Sequence, residues 1–219
     1  MRIPLGQSAA VGRTFIKLSP AITIAILRTV EAGWVIAAAN AAVHVGADEV
    51  AMTETLRDAM REALTRQHFP WRKTMIIAPG SESRSRPGMV APDGRTDIPV
   101  YLTRVFARSG EHDPHAVIEC KRVAEGDAGL AREYVVEGID RFRNGKYSEN
   151  HARGFMVGYV LKGPPDAVVE GINRYLIGRS RTAELLAAPG DLDIVGWASE
   201  HVRTSPRAPI LLHHAMLAV

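Results

Sequence analysis

The chain is nearly devoid of cysteine: Cys120 stands alone among 219 residues. An intrachain disulfide is excluded, and nothing points to an oxidising compartment. A long apolar run is also missing. In "PAITIAILRTVEAGWVIAAANAAVHVG", Arg28, Glu31 and Asn40 interrupt the stretch before it reaches the length of a bilayer span. It reads instead as packed helix, in the core or at a subunit contact, and no membrane is expected as a partner. The start, "MRIPLGQSAAVGR", lacks a basic region followed by an apolar run, so no signal peptide is expected and a cytoplasmic protein is the default. Internal repeats and low-complexity tracts are absent. Charge of one sign is not in large excess either. A net charge of +3 and a pI near 9.2 are mildly basic, compatible with a nucleic-acid partner without demanding one.

What is present is enough apolar matter for a sizeable core, 46% of residues. Ser19-Pro20 signals a helix start within residues 1–47, an N-terminal helical extension expected to pack on the core or to form a homodimer contact. In "DEVAMTETLRDAMREALTRQHF", Val50, Leu56, Met60 and Leu64 fall near helical spacing behind an Asp48 cap. "TMIIA" reads as a short buried strand. "DIPVYLTRVF" and "AVIEC" read as two strands joined by "ARSGEHDPH", and "GLAREYVVEGIDRFRNG" as a helix ended by Gly145. "GFMVGYVL" is a strand too apolar for a solvent-exposed face. "PPDAVVEGINRYLIG" is a further helix, and "DIVGWASEHVR" with "PILLHHAMLAV" a closing hairpin. This order predicts an α/β domain over residues 48–219, with a mixed central β-sheet flanked by helices.

The chemistry concentrates in "HAVIECKRV". Residues two apart on a strand share a face, so Glu119 and Lys121 point one way while Ile118 and Cys120 pack the other way. Asp97 opens the preceding strand and, if the two strands pair, falls beside Glu119. Pro92-Asp93 is turn chemistry, which favours Asp97 over Asp93 as the partner acid. Pro99 removes a ladder donor and calls for a bulge or an unpaired edge. Two carboxylates held close need a counter-ion, and a hard divalent cation such as Mg²⁺ is the natural one. The lysine could orient or deprotonate a water, or stabilise charge developing on a phosphate.

"GRTDIPVYL … AVIECKRV" resembles the core of the PD-(D/E)XK, or restriction-endonuclease-like, nuclease superfamily. Its pattern is an Asp at a strand edge, then Glu-x-Lys on the next strand, then a helix. The resemblance covers roughly the Glu54 helix to the strand ending at Val160. It implies a restriction-endonuclease-like fold and a Mg²⁺- or Mn²⁺-dependent endonuclease acting on DNA more readily than RNA, in restriction, repair or defence. It assigns the metal-binding acids to Asp97 and Glu119 and the catalytic lysine to Lys121. Many members add a Glu from the preceding helix, for which Glu54 is the candidate; otherwise Glu54 is an exposed carboxylate near Arg57 and Arg61. Tyr134, Glu137 and Arg141 lie at helical spacing and could line the site, or form an ordinary charged helix face. Arg84, Arg86 and Arg95, in the Gly-, Pro- and Ser-rich loop "PGSESRSRPGMVAPDGR", and Arg122 are candidate contacts to a nucleic-acid backbone. The alternative is a catalytically inactive nuclease-like module that binds nucleic acid or a protein. Cys120 reads as a small buried hydrophobe, and His201, His213 and His214 as structural histidines rather than zinc ligands.

Overall fold

A computed structural model of the chain describes residues 15–80, 82–83, 94–110, 112–148, 150–189, 196–203 and 208–219. Arg84, Arg86 and Asp93 lie outside these.

Local signals in the sequence set the helices. α1 (Pro20–Ala37) starts with Pro20 in its first turn and the Ser19 hydroxyl accepting from the Ile22 amide. α2 (Glu49–Arg66) starts at Asp48, whose carboxylate accepts from the Val50 amide at 2.8 Å. The strands are β1 (Met75–Ile77), β2 (Glu82–Ser83), β3 (Gly94–Arg95), β4 (Ile98–Leu102), β5 (Ala116–Val123), β6 (Arg153–Val160), β7 (Trp197–His201) and β8 (Ile210–Ala218). β2 and β3 form a small ribbon. The other six make one mixed sheet in the order β1-β4-β5-β6-β8-β7. β1, β4 and β5 run antiparallel, β5, β6 and β8 parallel, and β7 antiparallel along β8.

Strand parity divides the core in two. Ile98, Ile118, Cys120, Phe155 and Val157 pack with Ile26, Val30, Leu56 and Met60 of α1 and α2. Val117, Val123, Met156, Val160 and Leu212 pack on the opposite face, against a helical segment and α6 (Pro165–Gly178). That segment is α4 (Ala128–Glu133), a π-helical stretch (Tyr134–Ile139) and α5 (Asp140–Arg143) in succession. With both faces covered, β6 is buried along nearly its whole length, as its unbroken apolar run implies. α1 is long and apolar enough to cross a membrane by length and composition alone, with a mean hydropathy of 1.4. Here its apolar face joins the same core as α2 and the sheet. Trp34 also donates from Nε1 to the Ala218 carbonyl at 3.1 Å.

One local expectation changes and a second is narrowed. "DIPVYLTRVF" is not all strand: β4 stops at Leu102 and a short helix, α3 (Thr103–Ser109), follows, closed by Gly110 at φ 64°. Leu102 is the last β4 residue in register with β1, opposite Met75, and after the Thr103 amide bonds the Thr74 carbonyl at 3.0 Å the pairing ends among the described residues. Pro99 makes no bulge. Its carbonyl accepts from Ala78 at 3.0 Å, just past the end of β1, so its missing N–H falls at the sheet margin rather than in the β4–β5 ladder.

Candidate active site

β4 pairs with β5 through Ile98↔Ile118, Pro99↔Val117 and Val100↔Ala116. One step further along this register sets Asp97 opposite Glu119, and opposite residues of an antiparallel pair share a face. Beyond Ile118, no strand among the described residues pairs with β5 on the β4 side, while β6 continues to pair on the other. The backbone of that bare edge is satisfied by side chains. The Cys120 amide donates to Asp97 Oδ2 at 2.8 Å. The Arg122 amide donates to Glu49 Oε2 at 2.9 Å. An unpaired buried amide is costly, so the two acids are fixed where the sheet needs acceptors.

Lys121 ties the corner together. Its Nζ donates to Glu49 Oε1 and to the Cys120 carbonyl, each at 2.8 Å, and lies 3.1 Å from Glu119 Oε1. The same Glu119 oxygen accepts from Arg141 Nη1 at 2.7 Å. Arg141 Nη1 also donates to the Tyr147 hydroxyl at 2.9 Å, and that hydroxyl donates to the Arg95 carbonyl at 2.7 Å, just upstream of Asp97. Glu119 is wholly buried, and its other oxygen, Oε2, has no hydrogen-bond partner among the described residues.

The electrostatics follow from burial and crowding. Burial, then the charge of Asp97, raises the Glu119 carboxyl; Lys121 and Arg141 pull it back, and the balance stands at about 8. Burial also raises Asp97, against the pull of Lys121 and of the Cys120 amide. Burial alone would lower Lys121, but the carboxylates of Glu119, Glu49 and Asp97 outweigh it and hold the ammonium above its usual range.

Asp97, Glu119, Lys121 and Arg141 are thus brought together as the sequence suggested. Glu54 is not. Its side chain is 51% exposed and 3.8 Å from Arg57. Five residues on a helix turn through about 500°, so Glu54 points about 140° away from the face that Glu49 presents. Glu49 takes the place expected of Glu54; its signal was an acid directly after the Asp48 cap, in the turn that meets the sheet edge. Tyr134 does not share a face with Arg141: it is buried and bonded to His214 at 2.9 Å. Seven residues should nearly superpose on an α-helix, but the π-helical stretch between them shifts the phase. Glu137 is exposed, 3.6 Å from Arg141 Nη2. Arg95 is exposed, with Nε donating to the Gly80 carbonyl at 3.2 Å, and Arg122 is partly buried.

Two alternative centres fail on their surroundings. Cys120 is wholly buried on the apolar face, and burial pushes its thiol well up, which leaves it unreactive. Ser199 Oγ lies 2.7 Å from His201 Nε2, and His201 Nδ1 meets Glu184 Oε2 in a short contact, the order of a hydrolytic triad. Ser199 also lies 2.7 Å from His214 Nε2 and is buried. One assignment matches every donor: Tyr134 to His214, His214 to Ser199, Ser199 to His201, His201 to Glu184. This is a satisfied core network, with burial pushing His214 well down.

Among the described residues, no three His, Cys, Asp or Glu side chains form a metal cage. Mg²⁺ needs no such cage, since it takes one or two carboxylates and fills the remaining positions with water and phosphate oxygens. Asp97 and the bare oxygen of Glu119 have the right chemistry for that role. No protein-family model, curated protein or solved structure matches this chain.

Proposed function

We propose that the chain is a Mg²⁺- or Mn²⁺-dependent nuclease with a restriction-endonuclease-like fold, hydrolysing phosphodiester bonds in DNA. One observation carries this reading. Glu119 is buried opposite Asp97 and beside Lys121, yet one of its carboxylate oxygens has no partner among the described residues. A buried acceptor left bare costs about 1–3 kcal/mol, more if charged, and an oxygen-seeking cation is the group that would satisfy it. The element order adds support: a helix carrying Glu49, Asp97 at a strand start, Glu-x-Lys on the next strand, then a helix.

In this reading Asp97 and Glu119 would hold the cation, with Glu49 in support. When bound, the cation would neutralise phosphate charge and make water a better nucleophile. Lys121, fixed by Glu49 Oε1, Glu119 Oε1 and the Cys120 carbonyl, would set its positive charge beside the reacting water and the charge that builds on phosphate. Arg95 and Arg122 would meet the nucleic-acid backbone, so binding should weaken with salt. A role in restriction, repair or defence rests on analogy of fold.

A second reading has its own observation: two cations already compensate Glu119 Oε1, as an inert nuclease-like binding module would require. Cleavage assays on duplex, single-stranded and branched DNA and on RNA separate the two. The nuclease reading expects divalent-dependent cutting that disappears in Lys121→Ala while circular dichroism stays unchanged. If all substrates remain intact with Mg²⁺ and Mn²⁺, the binding module is the better description.

A further inference from the structure

The Glu119–Arg141 pair has the wrong shape for a permanent salt bridge. A guanidinium and a carboxylate at their best form two parallel hydrogen bonds. Here Arg141 uses Nη1 alone, on Glu119 Oε1, an oxygen already 3.1 Å from Lys121 Nζ. Both positive charges crowd one oxygen while Oε2 stays bare. The mismatch extends to the arginine, whose Nε is buried and has no hydrogen-bond partner among the described residues. An orphaned acceptor and an orphaned donor on the two halves of one ion pair point to a missing third party.

The two cations are not held alike. Lys121 is 9% exposed and has three oxygens around Nζ, those of Glu49, Glu119 and the Cys120 backbone. Arg141 is 25% exposed, and apart from Glu119 its only hydrogen-bond partner among the described residues is the Tyr147 hydroxyl. Glu137 lies 3.6 Å from Nη2, beyond hydrogen-bond range, and is itself exposed. Arg141 is therefore the cation that can leave.

Resting on the nuclease reading, we propose that Arg141 is a resident counter-ion that a divalent cation displaces from Glu119, and that the released guanidinium, still tethered at Tyr147, then holds a phosphate of the substrate. The Nε edge that Glu119 leaves unused is the side of the guanidinium that, with Nη2, grips two oxygens of a phosphate. Arg141 acts as a positioning residue with two stations, and its charge opposes metal binding in the first.

Mn²⁺ binding to the full chain without nucleic acid, followed by calorimetry and electron paramagnetic resonance, tests this. Arg141→Gln should bind Mn²⁺ about tenfold more tightly than the parent, the equilibrium equivalent of losing one partly buried competing cation. It should also raise KM for a DNA substrate. A structural role predicts equal or weaker Mn²⁺ binding in the variant, and that result would overturn the proposal. Should Arg141→Gln fail to fold, arginine side-chain ¹⁵N resonances of the parent chain give an independent reading. Mg²⁺ should move the Arg141 signal, and a signal that stays still while Mg²⁺ binds overturns the proposal equally. Tighter Mn²⁺ binding in the variant with no cleavage by the parent would keep the counter-ion and remove the nuclease. Cleavage by the parent with unchanged Mn²⁺ affinity in the variant would do the reverse.

Discussion

Asp97→Asn keeps an amide oxygen for the Cys120 N–H, whereas Asp97→Ala leaves that amide unpaired at a partly buried strand edge. Urea denaturation should find the Asn variant close to the parent and the Ala variant about 1–3 kcal/mol less stable. On the nuclease reading, divalent-dependent cleavage should be lost in both, because a neutral amide holds a divalent cation far less strongly than a carboxylate. Equal stability losses would mean that the Cys120 bond contributes little. The two glutamates of α2 make a second contrast. Glu49→Ala removes the partner of both Lys121 Nζ and the Arg122 amide and should cost about 1–3 kcal/mol and abolish cleavage. Glu54→Ala removes one long contact from an exposed carboxylate to Arg57 and should stay within about 0.5 kcal/mol of the parent, with full activity.

At the scale of elements, the site depends on how closely chain segments approach one another. A Cβ on Gly80 would stand 2.4 Å from the Thr96 carbonyl and 3.2 Å from that of Asp97, both backbone atoms that cannot swing aside. Gly80→Ala should therefore push the start of β4 outward, cost about 1–3 kcal/mol and impair cleavage, although Gly80 carries no chemistry. At Gly138, where the π-helical stretch crosses β5 and β6, the colliding atom is the flexible end of Met156, at 2.5 Å. Gly138→Ala should be the milder variant in thermal melts and in activity. These approaches mark the limit of what the sequence makes legible. Caps and periodicity locate α1 and α2, and strand parity puts Glu119 and Lys121 on one face with Cys120 on the other. Glu49, the displacement of Tyr134 from Arg141 and the helical turn after Leu102 are different in kind. They depend on where a helix end meets a sheet edge, on a π-helical phase slip and on where a neighbouring strand runs out, none of which is written in local residue order.

Over the whole molecule, the face opposite α1 and α2 is fastened by ions as well as apolar packing. Arg181 Nη2 lies 2.9 Å from Asp140 Oδ1 and 2.6 Å from Glu184 Oε2, and His201 reaches Glu184 from β7. Burial alone would raise Glu184, but the His201 hydrogen bond and the Arg181 guanidinium outweigh it and bring the carboxyl down to about 2. A depressed carboxyl stabilises the fold fully above its unfolded value and loses that contribution as pH falls toward the folded one. Stability measured in urea should therefore decline between about pH 4.5 and 2, and Glu184→Gln should flatten that limb while lowering stability at neutral pH. An unchanged acid limb in Glu184→Gln would assign it to other carboxyls. The bare edge of β5 has a separate consequence. Most amides of the sheet are shielded from solvent hydrogen by a neighbouring strand, but those of Cys120 and Arg122 are shielded by the carboxylates of Asp97 and Glu49. Their deuterium uptake should therefore respond to those two side chains as well as to the opening of the fold. Any ligand that draws Asp97 away should quicken exchange at Cys120 and leave Arg122 unaltered, so the backbone itself carries a two-channel reporter of which acid has been engaged.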